Sequence, residues 1–512
     1  MDVALFVGFA ERRADVPVAA SIKRWLEEAG WTRGPYKRDD EENPTLVDVP
    51  VPIDRWETFD RHFAWDRGDG LSAPHAGTYL GAAVRSFFAQ GGRACYVVAL
   101  APPKSSEGSQ SDRLMYLAKL LPGVGVSFDA SPVDRALWRG AAHVLGLPDV
   151  SLLCLPDLAA LCAADVAPPA PPVVPSGAPE VFVECSASST SSTFTMSPLA
   201  AGVPRCNALG YDAWATFVAR AGAMLARHAR EVELVAALPI PLRDEDTALA
   251  EEDLHAFLLT SGGEGGAWAL LPRIESSFVQ IVYPWVKTPA SAILPGGVES
   301  PDAVLAGVLA RNALARGTFR SAMGAELADV FEVFPLLERS AIASRPRASM
   351  LGPVTKGGHT KRALDVPLVD RISLLGTTPS GLRLLSDVTT SPDEAYRQGG
   401  LQRLVSVLTR ALRDVGAAIV FEPANTQTRA RIVRRIEGIV TRLWELGALR
   451  GAEPEEAFSV RCDDTTTTQA DVDAGRLVAE IEFSPAHAIE RIRVTLTLRE
   501  DGAASLGRRE AP

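Results

Sequence analysis

TYLGAAVRSFFAQGGRACYVVAL, residues 78–100, holds a helix, its stop signal and a buried strand in one run. Leu80, Val84, Phe87 and Phe88 share a face at helical spacing. Gly91 and Gly92 end that helix, because glycine enters the left-handed conformation of a helix terminus at little cost. CYVVAL (95–100) then continues without a charge, too short for a helix of its own. A strand with no polar alternation suits a sheet covered on both faces.

Four more runs share this character: VALFVGFA (3–10), VSLLCLPD (150–157), VELVAALPIPL (232–242) and FVQIVYPW (278–285). Each is bounded by Gly, Pro or charge, and helical patterns lie between them. Alternating strand and helix predicts an α/β domain. Four segments break the alternation. Residues 19–44 are charged, with one short helix around 22–29. Residues 103–113 are Ser-rich, APPAPPVVPSGAP (167–179) is Pro-rich, and 260–266 is Gly-rich. These read as surface loops or insertions (19–46, 101–149 and 167–215) in one large domain, 1–374. The Pro-rich stretch alternatively serves as a hinge between subdomains.

The last third differs. Leu401, Leu404, Val405, Leu408, Leu412 and Val415 recur at helical spacing up to Gly416. A short strand is expected at 418–421. A second amphipathic helix carries Ile432, Ile436, Ile439, Val440, Leu443 and Leu446 on one face, with Thr426 or Thr428 as its cap and Gly447 as its stop. Strands follow around 458–462 and 477–483. In the final strand Ile492, Val494, Leu496 and Leu498 alternate with Arg and Thr. The expected fold class is therefore α/β plus α+β, the smaller α+β unit running from 375 to 512.

Composition narrows the function. A chain of 512 residues exceeds one compact core. Its net charge of −11 argues against general nucleic-acid binding, which needs a basic surface to displace counterions. No apolar run reaches the ~20 residues of a membrane span. MDVALFVGFAERR (1–13) lacks the basic start and small-residue cleavage site of a signal peptide, so synthesis and assembly in the cytoplasm are expected. The six cysteines form no C-x-x-C pair and read as buried thiols.

Chemical motifs are missing as well. Gly357-Gly358 is followed by His-Thr-Lys, not by the Gly-Lys-Ser/Thr of a phosphate loop. Ser72 lacks the second glycine of a nucleophile elbow. No histidine starts an H-E-x-x-H zinc motif. Asp463-Asp464 before four threonines reads as a solvated loop whose side chains bond their own backbone. No catalytic, cofactor or metal site is expected.

Several segments resemble the tail sheath family of contractile phages, R-type pyocins and extracellular contractile injection systems. They are VALFVGFAER (3–12), VDVPVPIDRWETFDRHFAW (47–65), residues 78–100 and LAGVLARNALARGTFRSAMG (305–324). The C-terminal resemblance is the most specific. It includes GLQRLVSVLTRAL (400–412), VFEPANTQTRARI (420–432) and AEIEFSPAHAIERI (479–492). It also includes the ordered run GALRGAEPEEAFSVRCDDTTTT (447–468). Two features depart from the family pattern. The arm that usually precedes the first strand is missing, and the family's W-G-A-R-T stretch reads GLRLLSDVTT (381–390).

The resemblance implies a structural subunit that stacks as hexameric rings around an inner tube and contracts to drive that tube into a target. It makes residues 1–374 an outer domain and 375–512 an inner one. Partners would be further copies of the chain, the inner tube protein, and baseplate and cap proteins. The chain would be part of a phage-tail-like particle, released or docked to an envelope. The basic residues of the second helix, Arg429, Arg431, Arg434, Arg435 and Arg442, are expected to face the tube, unless they are simply a solvated face. Ile492, Val494, Leu496 and Leu498 are expected to form an arm lent to a neighbouring subunit, unless the strand closes its own sheet. The alternatives are a specialised sheath-like subunit of a baseplate or cap ring and, less in keeping with the motifs, an enzyme.

Overall fold

The computed structural model describes residues 3–33, 46–66, 78–102, 109–121, 134–165, 202–242, 274–337, 367–418, 425–474, 476–486, 492–499 and 504–510. The Pro-rich and Gly-rich stretches, the expected strand after Ala418, and the glycine pair at 357–358 lie outside these residues.

All five apolar runs become strands of one eight-stranded sheet. In chain order its strands are β1 (Val3–Phe9), β2 (Val51–Ile53), β3 (Cys95–Leu100), β4 (Val150–Cys154), β5 (Glu233–Ala237), β6 (Val279–Tyr283), β7 (Ser373–Thr378) and β8 (Gly381–Leu384). Their spatial order is β8-β7-β6-β5-β4-β1-β3-β2. The pairs from β7 through to β3 are parallel. β2 and β8 flank them antiparallel, one at each edge. Every residue of β5 and β6 is buried, as continuous apolar strands require.

Five longer helices and one short one pack with these strands or in the C-terminal part. They are α1 (Ala20–Glu28), α2 (Tyr79–Ala89), α3 (Ala208–His228), α4 (Asp302–Arg316), α5 (Gly399–Ala417) and α6 (Thr426–Glu445). Local chemistry sets their starts. Thr78 caps α2 by accepting the Gly81 N–H at 3.2 Å, and Asn207 caps α3 by accepting that of Gly210 at 3.0 Å. Asn425, not Thr426 or Thr428, caps α6 by accepting the Thr428 N–H at 2.9 Å. Gly447, at φ +76°, follows the end of α6 as expected. Helix α5 runs through Gly416 to Ala417, because glycine inside a buried helix is tolerated when its surroundings pack.

The insertions need correcting. Parts of 19–46, 101–149 and 167–215 belong to the core of the large sheet. Trp31, Trp138, Ala141 and Val144 are members of it, as are Tyr211 and Trp214 of α3. The Arg135 guanidinium lies 4.5 Å from the Trp31 ring centre and 5.3 Å from that of Trp138. It also donates to the Ala29 carbonyl at 3.0 Å. Asp48 accepts from the Gly140 N–H and contacts Nε2 of the fully buried His143 at 3.0 Å. Two insertions distant in sequence therefore fasten to each other through aromatic, cationic and polar contacts.

The boundary at 375 also moves. β7 and β8 complete the large sheet, whose hydrophobic cluster runs from Ala4 to Leu384. A second cluster runs from Tyr396 to Leu496. It is built from α5, α6 and a four-stranded antiparallel sheet: β9 (Phe458–Arg461), β10 (Arg476–Phe483), β11 (Ile492–Arg499) and β12 (Ala504–Glu510), in that order. Strand β12 had no counterpart in the sequence reading.

Candidate assembly interface

The basic face of α6 follows from its pattern. Ile432, Ile436 and Val440 turn into the second core, leaving the opposite side to charge. Arg434, Arg435 and Arg442 are exposed, whereas Arg429 and Arg431 are partly buried. Arg429 pairs with Asp464, and Arg442 bonds Glu445 at 2.8 Å within the same helix. Arg434 Nε donates to the Ala430 carbonyl at 3.3 Å. Among the described residues Arg434 and Arg435 have no carboxylate partner. The five expected arginines thus separate into an outward pair, Arg434 and Arg435, and three that are engaged or partly covered.

Within the single chain the final strand takes the alternative of pairing in its own sheet. β11 pairs with β10 over eight residues, from Phe483↔Ile492 to Arg476↔Arg499, and with β12 on its other side. Ile492, Val494 and Leu496 are buried in the second core at 3%, 2% and 0% exposure. Leu498 sits opposite Leu477 in the register. The strand is an interior member of its own sheet. The alternation predicted a half-buried strand correctly, but alternation does not reveal which chain supplies the partner. The edge strands of this sheet are β9 and β12.

Helix α5 joins the two cores. Leu404, Val405, Leu408 and Leu412 face the second core. Arg403, Arg410 and Arg413, at i, i+7 and i+10, face the large sheet. Arg403 bonds Asp387 through both terminal nitrogens, at 3.0 and 2.6 Å. Arg410 donates to the Val150 carbonyl at 2.6 Å and to Ser151 Oγ at 3.1 Å. Arg413 pairs with Glu231. Val150 opens β4 and Glu231 lies two residues before β5, so α5 lies across the amino ends of the central strands. The sequence carried a signal for this face, arginines opposite the apolar stripe, but not their partners.

The carboxyl ends of the strands are filled. In doubly wound sheets ligands bind outside the strand ends where the order reverses, here between β1 and β4. That place is taken by Asp157, which accepts the Phe9 N–H at 2.9 Å and those of Tyr79 and Leu80. A Cβ on Gly8 would lie 2.2 Å from Asp157 Oδ2. At the other end, a cavity of about 650 Å³ is lined by Trp25, Tyr96, Arg61 and His62. His62 has both ring nitrogens engaged, Nδ1 with the Thr58 carbonyl at 2.8 Å and Nε2 with the Ala19 N–H at 3.2 Å. It is held by its own backbone and is not poised as a base.

Asp463 accepts the N–H groups of Thr465 and Thr466 at 2.8 and 3.3 Å, the self-bonded loop its sequence suggested. Its carboxyl is held below the usual range, chiefly by the Thr465 hydroxyl. Cys95, Cys154, Cys162, Cys206 and Cys462 are free and buried. Among the described residues no group of His, Cys, Asp and Glu is arranged to hold a metal, and no helix is long and apolar enough to cross a membrane.

This architecture defines a two-core protein, a covered α/β sheet with an α+β unit docked on it by one helix. Residues 391–499 match the family described as the phage tail sheath C-terminal domain, and the resemblance to the tail sheath family is borne out. The chain is similar to a chain of the anti-feeding prophage baseplate, 6-fold symmetrised, at 18% identity and TM-score 0.50, covering 95% of this chain and 90% of the other. For a chain of the same baseplate in its contracted state the values are 18%, 0.51, 86% and 88%. For the anti-feeding prophage helical sheath in contracted state they are 18%, 0.48, 96% and 91%. The two baseplate matches establish a shared fold. No curated protein matches the chain.

Proposed function

We propose that this chain is a structural sheath subunit of a phage-tail-like contractile injection system. It would assemble with copies of itself as stacked six-fold rings around an inner tube, and contraction would drive that tube into a target. The observation carrying this reading is the sheath C-terminal domain match over 391–499, which spans nearly all of the second core. Contraction of such a lattice needs no hydrolysis, only two packings of one subunit that differ in free energy.

On this reading residues 3–384 form an outer domain and residues from about 391 an inner domain that touches the tube. The tube contact is assigned to Arg434 and Arg435, with Arg442 beside them. Arg434 and Arg435 are exposed cations with no carboxylate partner among the described residues of a net-acidic chain, and they suit an acidic tube surface. Links between subunits would form at the sheet edges. If a strand is exchanged, β12 is the candidate, because it is an edge strand and removing it leaves Ile492, Val494 and Leu496 of β11 in the second core. The subunit would assemble in the cytoplasm and function in the finished particle.

A second reading, a sheath-like subunit in a baseplate ring, is favoured by the fold shared with the baseplate chains. Negative-stain microscopy of the purified protein, with and without tube protein, separates the two. Long tubes support the main sheath and single rings the baseplate reading. Persistent monomers at high concentration would refute both.

A further inference from the structure

Three carboxyl groups are buried inside the large domain, and the charge of one, Asp302, acts on the other two. Asp157 follows β4, Glu299 precedes α4, and Asp302 is the first residue of α4. They are 6%, 1% and 0% exposed. Glu299 accepts from the hydroxyls of Ser86 and Thr288, and Asp302 from Ser300 Oγ at 2.8 Å. Asp157 takes the backbone N–H groups at the end of β1 and the start of α2. One oxygen of Glu299 and one of Asp302 have no hydrogen-bond partner among the described residues.

Among the described residues none of the three carboxyls makes an ion pair. Arg85, on α2, is the positive charge that acts on Glu299. Its guanidinium lies 5.9 Å from the Trp56 ring centre, and it makes no ion pair among the described residues. The other titratable groups against the cluster are Tyr79 on α2 and Cys154 on β4, both neutral when protonated. Three ionised carboxylates in such a site would face a large desolvation cost and mutual repulsion.

We propose that Asp157, Glu299 and Asp302 form a proton-dependent latch that ties the ends of β1 and β4 to the starts of α2 and α4, and that alkali loosens it. Burial pushes Glu299 up to about 8, Asp157 to about 7 and Asp302 to about 6. Asp302's charge adds to the first two. All three lie above the unfolded value of about 4. Their stabilisation is therefore complete below about pH 4 and is lost as pH climbs toward about 8.

The test is chemical unfolding of the full chain across the range from about pH 6 to about pH 9. The wild-type midpoint should fall as pH rises. Glu299→Gln and Asp302→Asn, which keep the shape and remove the proton, should flatten that fall. Equal slopes in wild type and variants would overturn the latch. Should the variants fail to fold, calorimetry of the wild type in buffers of different ionisation enthalpy decides the matter. Unfolding near pH 6 should release protons, and the release should fade by about pH 9. No release, or net uptake, near pH 6 would also overturn it.

Discussion

Arg403 grips Asp387 with both ends of its guanidinium, at 3.0 and 2.6 Å, across the joint between the two hydrophobic cores. Both side chains are shut off from solvent, at 4% and 0% exposure. Asp387 also accepts from Gln280 at 3.0 Å and from the Ala322 N–H at 2.8 Å, and Arg403 donates to the Thr318 carbonyl at 3.2 Å. The pair is a fully bonded ionic joint where the C-terminal helix meets the large sheet.

Arg403→Met should therefore lower stability by about 3–5 kcal/mol, because it strands a buried carboxylate. Burial pushes the Asp387 carboxyl up, but the charge and hydrogen bonds of Arg403, with those of Ala322 and Gln280, outweigh it and hold it below its usual range. Its stabilisation is present above about pH 4 and is lost as pH falls through the depressed value. Denaturant unfolding at acid and neutral pH checks both: the variant should lose the acid-side decline that wild type shows.

Arg434→Glu with Arg435→Glu should leave helix content and melting unchanged, since both side chains are exposed and neither bonds a carboxylate among the described residues. Co-sedimentation with tube protein should drop and become more sensitive to salt, whose screening length is ~10 Å at 0.1 M. Unchanged co-sedimentation would move the tube contact to another surface.

Two truncations separate a home strand from an exchanged one. Removing residues 489–512 deletes Ile492, Val494 and Leu496 from the second core, and its melting transition should be lost. Removing only 503–512 deletes β12 and spares those side chains. The shorter cut should keep the melting transition and abolish ring or tube formation in electron micrographs. Normal assemblies from it would exclude β12 as a link.

Gly8→Ala should cost about 1–3 kcal/mol by overpacking, because the added Cβ falls 2.2 Å from Asp157 Oδ2 and 2.9 Å from Leu80 Cβ. A thermal melt registers it. An unaltered midpoint would mean that the end of β1 yields more easily than its packing implies.

Much of this was legible in the sequence because it depends on neighbours along the chain. The five apolar runs needed only length and lack of charge, and Gly447 only its conformational freedom. The basic face of α6 needed only helical spacing. What failed was partnership. Nothing local in residues 375–384 distinguishes a strand of the large sheet from one of the small unit. Nothing local in 492–499 says whether the strand pairs at home. The insertions looked polar because their few anchors, Trp31, Trp138 and Trp214, are scattered among charged residues.

The sequence by itself determined the element types, the covered sheet, the amphipathic helices and the sheath-like C-terminal run, since these follow from side-chain periodicity and local backbone preference. Only the tertiary structure decided which arginines remain outward, that β11 is an interior strand, and that Asp387 meets Arg403. It alone brought Asp157, Glu299 and Asp302 together. Each of these depends on contacts between residues far apart in the chain, whose geometry is fixed when the elements pack and which no local pattern encodes.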